Sequence, residues 1–198
     1  ELSRREGQLE RTSSVTTSLM GSAVRLSRAT APVEVGEVVV RTLAKLTGCS
    51  RGVVTVEDPP GHVRVLVSAG YDDESLERLT RHLNEPGTGI HEMALTRTPE
   101  FVSGREQLRA GFPQLADVPA ARLSGRVAAI PLMAGEAVPG VAFVADDEPR
   151  EWTAQDRSVV AALVAQAGPA LARAREHAKV RDTAEVLQRA LLPSSLPE

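Results

Sequence analysis

The sequence contains a single cysteine and no long run of apolar residues. Cys49 has no second cysteine to pair with in the 198 residues, so an internal disulfide and a zinc site built from several cysteines are both excluded. A membrane-spanning helix takes roughly 20 consecutive apolar residues, and no stretch of this chain approaches that length. No signal peptide is recognisable. We therefore expect a cytoplasmic protein that does not enter a membrane.

Aromatic residues and net positive charge are also scarce. Aromatic side chains make up only 3% of a chain that is 42% hydrophobic, so the core must be mainly aliphatic. A net charge of -3 offers no concentrated basic face for phosphates, which argues against a nucleic-acid partner. The length suits one domain with flanking helices. Because the chain opens on Glu1 and not on methionine, we expect it to be a segment of a longer protein.

Two helical patterns open the chain. Apolar residues follow a loose heptad frame from residue 2 to about residue 28, which predicts an amphipathic helix with a coiled-coil seam. The dipeptide Ala31-Pro32 ends this pattern. Apolar residues recur at helical spacing over residues 33–46, and Gly48 is suited to cap the second helix at its C-terminus.

The period then changes to that of β-strands. Residues 52–56 (GVVTV) are β-branched, residues 62–69 alternate, and the two segments predict a hairpin. Residues 126–133 and 138–145 predict a second hairpin. Residues 100–102 predict a short strand between them.

Prolines and capping residues refine these boundaries. Pro131 and Pro139 cannot donate a ladder hydrogen bond, so each is expected at an edge or a bulge. The acidic residues 72–74 suit a helix N-terminus, and Thr153-x-x-Asp156 resembles a capping box that opens a long apolar helix. Pro169 lies inside that helix and predicts a kink.

Three stretches in this order resemble a GAF domain. Residues 85–104 match the glycine-rich turn, short helix and strand of that family, and residues 126–147 match its last hairpin. Residues 151–174 match its closing helix, with Trp152 where an aromatic side chain docks. The resemblance covers roughly residues 32–176 and implies an α+β fold, an α/β sandwich. In it, a central antiparallel sheet carries helices on both faces, with long N- and C-terminal helices. A PAS domain is the nearest alternative, but it fits the second hairpin and the closing helix less well.

The resemblance also implies a ligand cavity. In GAF domains the stretch that corresponds to residues 103–125 covers a cavity beside the sheet, and His91 falls on the short helix that borders it. His91 would be a heme ligand or a polar contact there, or else a partly exposed helical histidine. The apolar candidates would line a pocket for an unknown small molecule, or simply close the core. The pocket candidates are Ile90, His91, Met93, Phe101, Leu108, Phe112 and Leu115.

Several chemistries known in GAF domains find no support in this sequence. The Asn-Lys-Phe-Asp-Glu signature of cyclic-nucleotide-binding members is missing, and a methionine-sulfoxide reductase of this fold needs several cysteines. Cys49 has no neighbouring histidine, as bilin attachment would require, so we expect a small buried thiol. The four histidines are not spaced as metal ligands. We therefore expect no metal, no cofactor and no catalytic residue in this chain.

The end of the chain resembles a second family. The string LQRALLPSSLP at residues 187–197 is similar to the entry sequence of SpoIIE-type phosphatases, metal-dependent serine/threonine phosphatases of bacterial sigma-factor partner switching. The resemblance implies three regions: a dimerisation helix (1–31), a GAF-like sensor (32–176) and a linker helix (177–198) that leads into a phosphatase domain. It also implies Mn or Mg in that domain only, and a phosphorylated anti-sigma-factor antagonist as the partner of the full-length protein.

The outgoing helix changes its apolar seam between Ala178 and Val180. Such a break locally changes supercoiling, and two helices that switch register form a bistable element. We therefore expect a homodimer that passes a signal along these helices. The alternatives are a ligand-free structural dimerisation scaffold and, least supported, a ligand-converting enzyme. The residues expected on the dimer and signalling helices are Leu9, Leu19, Leu26, Leu171, Val180, Leu187 and Leu191.

Overall fold

The computed structural model describes residues 2–86, 91, 95, 97–104, 106–107, 125–148 and 150–191, with side chains between residues 14 and 189. Its elements follow the predicted order of two helices, a hairpin, a helix, a short strand, a second hairpin and a long helix. They are α1 (Leu2–Arg28), α2 (Pro32–Thr47), β1 (Arg51–Glu57), β2 (Val63–Ala69), α3 (Asp73–Leu83), β3 (Glu100–Ser103), β4 (Arg126–Ala134), β5 (Ala137–Asp146) and α4 (Ala154–Leu191).

The strands form one antiparallel sheet in the order β2-β1-β5-β4-β3. Both predicted hairpins are present, and the two hairpins join through the pairing of β1 with β5. Helices α2 and α4 cover one face of the sheet, which we call the first face, and α1 packs on these two helices. Helix α3 lies against the edge strand β2 on the opposite, second face. This confirms the predicted α+β fold with helices on both faces.

The first face holds the larger part of the core. Strand residues such as Val54, Ile130 and Val144 meet the apolar stripes of α2 and α4 there, and Leu26 of α1 joins the same core. On the second face Val63, Val141 and Phe143 form a smaller core with Leu79 and Leu83 of α3. Because successive strand residues point to opposite faces, nearly continuous apolar strands such as β4 and β5 supply both cores.

Both strand prolines occupy positions that leave one side of the strand unpaired, as predicted. Strand β3 pairs with β4 no further than Ala129, so Pro131 has a neighbour only on β5. The β1–β5 ladder ends at Thr55 and Val141, so Pro139 lies just beyond it. A proline there costs no ladder hydrogen bond, because its missing N–H faces no acceptor strand.

The predicted helix ends are confirmed. Asp72 caps α3 by accepting a hydrogen bond from the Ser75 N–H, which lowers the pKa of the Asp72 carboxyl. Thr153 and Asp156 form the reciprocal capping box of α4, with both bonds at 3.1 Å. Gly48 ends α2 with a φ of 71°, a left-handed conformation that glycine adopts at little cost.

Two threonines of α2 offer a matched test of buried hydroxyl groups. The Thr42 hydroxyl is buried without a hydrogen-bond partner in the described part of the chain. The Thr47 hydroxyl donates to the Leu43 carbonyl at 2.7 Å and accepts from the Cys49 N–H at 3.3 Å. We expect Thr42→Val to raise the free energy of unfolding by about 1 kcal/mol, and Thr47→Val to lower it by about as much.

Urea denaturation followed by the fluorescence of Trp152, the only tryptophan, measures both effects. Valine and threonine are both β-branched, so helix propensity changes little between them. A loss of stability in Thr42→Val would mean that a bound water or another group satisfies this hydroxyl.

Candidate functional site

A cavity of about 260 Å³ opens on the second face, at the end of the sheet where the hairpin loops of β1–β2 and β4–β5 lie. Its walls come from strands β1, β2 and β5 and from two residues that precede β3. Apolar side chains form most of the wall, and polar side chains form the rim. The apolar part consists of Val63, Leu95, Val138 and Val141, and the polar part of Thr55, Glu57, Arg97 and Glu136.

The polar rim is partly engaged in the protein's own contacts. The Thr55 hydroxyl donates to the Val141 carbonyl at 3.1 Å, which orients its lone pairs away from that bond. The Arg97 guanidinium lies 3.6 Å from the Glu136 carboxylate and also donates to the Glu136 carbonyl. One oxygen of Glu57 accepts from the N–H of Gly61 in the β1–β2 turn. The rim therefore mixes one ion pair with two acceptor groups.

Phe101 and His91 are the two predicted pocket residues with described side chains, and neither is among the residues that line this cavity. Phe101 packs on the first-face core, with its ring centroid 5.3 Å from that of Trp152. His91 is half-buried, and its Nδ1 lies 2.6 Å from the Leu83 carbonyl at the end of α3. Because a carbonyl only accepts, Nδ1 carries the proton in this bond. Outside the described residues lie Ile90, Met93, Leu108, Phe112 and Leu115.

The cavity residues were not predicted from the sequence, because they come from strand ends far apart in the chain. Thr55 and Glu57 close one strand, and Val138 opens another about eighty residues later. The dipeptide Pro139-Gly140 was the available signal, since a proline and a glycine inside a strand mark the end of a ladder or a close approach. That signal locates a structural irregularity but does not identify a cavity.

A buried ion pair joins three elements at the start of α4. Arg126 and Asp156 are 1% and 7% exposed, and Nη1 of Arg126 lies 3.7 Å from the Asp156 carboxylate. The same guanidinium donates to the Thr47 carbonyl at the end of α2. It also lies 4.5 Å from the ring centroid of Trp152. A cation suits this position, because the C-terminal carbonyls of a helix carry partial negative charge.

Trp152 fixes the start of α4 to the sheet. Its indole N–H lies 3.1 Å from the Val102 carbonyl and 3.2 Å from the Val127 carbonyl, so it bonds β3 and β4 together. The side chain is 5% exposed, in agreement with the docking position predicted for it. Cys49 is buried near this cluster, as expected, and burial raises the pKa of its thiol.

The predicted dimer residues separate into two groups. Leu26 and Leu171 are buried in the first-face core of their own chain, so the assignment of these side chains to a surface for a second chain is corrected. Leu19 is half-buried against the same core. Val180 and Leu187 are 61% and 57% exposed and remain accessible. The side chains of Leu9 and Leu191 lie outside the described set.

Two features are missing from the described residues. No group of three or more histidine, cysteine, aspartate or glutamate side chains among them is arranged to hold a metal ion. None of their helices combines the length and the apolar character needed to cross a membrane.

A family model of the GAF domain matches residues 29–172, and solved GAF structures share the fold. The GAF domain of the Acinetobacter phosphoenolpyruvate-protein phosphotransferase has a TM-score of 0.64 at 16% identity, over 81% of this chain and 94% of that one. The GAF domain of a putative sensor histidine kinase from Pseudomonas syringae pv. tomato has a TM-score of 0.59 at 15% identity, over 95% and 99%. The GAF-B domain of DevS from Mycobacterium smegmatis has a TM-score of 0.55 at 19% identity, over 75% and 98%.

No curated protein matches the sequence. At identities of this size the solved structures establish the fold alone, and the family assignment comes from the GAF model. That match covers well over half of the chain. The chain therefore belongs to the GAF domain family, whose members are sensory and regulatory domains of signalling proteins.

Proposed function

We propose that this chain is the sensory and dimerisation segment of a SpoIIE-type serine phosphatase that acts in bacterial sigma-factor partner switching. The observation that carries the proposal is the course of α4. This helix leaves the GAF core and runs on to Leu191, into the string LQRALLPSSLP that resembles the phosphatase entry. A helix shared by a sensor and an effector is a direct route for a signal.

The exposed part of α4 supports pairing with a second copy of the same chain. Every residue from 179 to 189 is exposed, including Val180, Val186 and Leu187. This segment extends α4 beyond the packed core, and pairing with a second copy would supply the tertiary packing from which most helices in proteins gain their stability. Val180, Ala184 and Leu187 follow coiled-coil spacing, and symmetric pairing would place identical apolar residues opposite one another.

The catalytic chemistry of the proposed protein would lie outside this segment. The phosphatase domain would hold Mn or Mg and remove phosphate from a phosphorylated anti-sigma-factor antagonist. The GAF segment would carry no metal and would act in the cytoplasm. Its cavity favours a sensor over a ligand-free scaffold, since a scaffold has no need of a pocket with a mixed polar and apolar lining.

Native mass spectrometry of the chain tests this proposal. We expect a dimer for the wild type and a monomer for the double variant Val180→Asp/Leu187→Asp, because two carboxylates in each copy would be buried at the seam. The matched control is Val186→Asp, which changes an equally exposed valine that lies off the seam and should leave the dimer intact.

The same spectra distinguish the alternatives. A dimer that carries the added mass of a small molecule supports the sensor, and a bare dimer moves support to the scaffold. A monomeric wild type, or a Val186→Asp variant that dissociates as fully as the double variant, would overturn the paired-helix assignment.

A further inference from the structure

We propose that the cavity on the second face binds a small primary ammonium compound with an apolar body, and that Arg175 of α4 senses its occupancy. The inference rests on the proposed sensory function and deepens it by naming a ligand class and a coupling residue.

The rim carries one negative charge, that of Glu57, for which the described residues supply a backbone hydrogen bond from Gly61 but no cationic partner. Arg97 and Glu136 neutralise each other as an ion pair. Within the described part of the chain, no cationic side chain lies within ion-pair distance of the Glu57 carboxylate. The Thr55 hydroxyl donates its hydrogen bond to the Val141 carbonyl, so it can only accept a hydrogen bond from a ligand. Two adjacent acceptors, one of them charged, favour a ligand group that is cationic and donates hydrogen bonds.

The rest of the lining suits a short aliphatic body. Val63, Val138 and Val141 belong to the second-face core and present methyl groups to the cavity, and Leu95 completes this wall. The volume of about 260 Å³ lies slightly below the roughly 300–1,000 Å³ range of pockets for drug-sized ligands. An alkylammonium ion of a few carbons would place its charge beside Glu57 and its carbon chain against the valines.

The cavity wall is only one backbone thick at Gly140. The backbone of Gly140 lines the cavity, while a side chain at this position would point to the first face. An added Cβ there would lie 2.8 Å from Cδ2 of Leu171 and 2.5 Å from the Thr55 carbonyl oxygen. Leu171 of α4 therefore occupies the space that a side chain at position 140 would fill. Displacement of this wall acts directly on α4, because close-packed interiors transmit strain.

Arg175, one turn further along α4 than Leu171, donates hydrogen bonds to two backbone carbonyls at the end of the same wall. Its Nη1 donates to the Pro139 carbonyl at 2.6 Å and its Nη2 donates to the Glu57 carbonyl at 2.8 Å. The β1–β5 ladder stops at Thr55 and Val141, and Pro139 has no N–H with which to extend it. The planar guanidinium group thus bridges the carbonyls of Pro139 and Glu57, which lie beyond the end of the β1–β5 ladder.

Arg175 thus joins α4 directly to Glu57, a residue that lines the cavity. A ligand that draws the Glu57 carboxylate toward the cavity also shifts the carbonyl of the same residue, which Arg175 holds. Arg175 lies directly before the seam break at Ala178 and Val180, where the exposed part of α4 begins. Occupancy would therefore bias the register of the segment proposed to pair with a second copy.

Nuclear magnetic resonance titration of the chain tests the ligand class. The probes are isobutylammonium, isobutyrate and isobutanol, which share a carbon skeleton and differ in charge, at matched ionic strength. We expect saturable shifts of the Thr55, Glu57 and Val138 amides with isobutylammonium only. Glu57→Gln should weaken binding about fivefold, the upper end of what an exposed ion pair contributes. Equal shifts with isobutyrate, or no saturable shift with isobutylammonium, would overturn the ligand class.

A second titration tests the coupling. In the wild type, saturation with isobutylammonium should also shift the amides of residues 179–189. Arg175→Gln should keep the cavity shifts and lose those of residues 179–189. The control Arg173→Gln, which removes a bond to the Leu26 carbonyl of α1, should keep both. Persistence of the distal shifts in Arg175→Gln would overturn the role of Arg175.

These outcomes are independent of the dimer experiment. The Glu57→Gln and Arg175→Gln variants should remain dimeric by native mass spectrometry, because neither changes the seam. A monomeric wild type that still binds isobutylammonium would refute the dimer and retain the binding site. A dimeric wild type without saturable isobutylammonium binding would refute the binding site and retain the dimer.

Discussion

Replacing Gly168 with alanine is expected to lower the free energy of unfolding by about 3 kcal/mol or more, the upper range for overpacking. An added Cβ would lie 1.9 Å from the carbonyl oxygen and 2.5 Å from the carbonyl carbon of Met133. These are backbone atoms of β4, which pairs with β5 on either side of Met133, so they cannot rotate aside as a side chain would. Alanine before Pro169 is also disfavoured in a helical conformation, which adds to the cost.

Gly168→Ala is expected to destabilise the protein, whereas the same substitution in most helices stabilises it. In the interior of an ordinary helix, glycine is less favourable than alanine by about 1 kcal/mol, so the substitution normally stabilises. Gly21 in α1 supplies the control, because its added Cβ would meet only the end of the Arg25 side chain at 3.7 Å. Gly21→Ala should raise stability by up to about 1 kcal/mol.

Urea denaturation of both variants, followed by Trp152 fluorescence, decides between the outcomes. If Gly168→Ala is as stable as the wild type, then α4 does not approach the backbone of β4 at Met133. The contact sets the depth at which α4 crosses the sheet, because backbone meets backbone there.

Removing the charge of Asp156 is expected to cause the second large loss in the free energy of unfolding. We expect Asp156→Asn to lower the free energy of unfolding by about 3–5 kcal/mol, the cost of leaving a buried charge without its partner. Asparagine keeps an oxygen that accepts from the Thr153 N–H, so the α4 cap survives and the loss reports on the charge. Arg126 would then retain only the Thr47 carbonyl and the face of Trp152.

A double-mutant cycle isolates the pair. Arg126→Met keeps an unbranched apolar side chain in place, and the Arg126→Met/Asp156→Asn variant should lose much less stability than the sum of the single variants. Arg150 is the matched control, because it lies 3.4 Å from Asp156 but is 55% exposed in its side chain. Arg150→Met should cost at most about 1 kcal/mol. Additive losses at Arg126 and Asp156 would show that the two charges do not stabilise each other.

Local chemistry made the secondary structure predictable. The caps at Asp72, at Gly48 and at Thr153 with Asp156 depend on residues within one turn of the helix end, so they are visible in sequence. The hairpins follow from alternation and turn residues in the same way. Pro131 and Pro139 even indicated which parts of a strand lack a neighbour, because a missing N–H is a property of the residue itself.

The sequence by itself thus determined the elements, their order and the GAF family, since all of these depend on contacts between residues close in the chain or on ordered motifs. Only the tertiary structure decided which apolar side chains of the helices are buried in the core of their own chain and which stay exposed on its surface. Leu26 and Leu171 look like Val180 and Leu187 in a heptad pattern, yet the first two are buried in the core and the last two are exposed. The cavity and the contact of Arg175 with Pro139 likewise required the fold, because residues distant in sequence meet only when the sheet and α4 have packed.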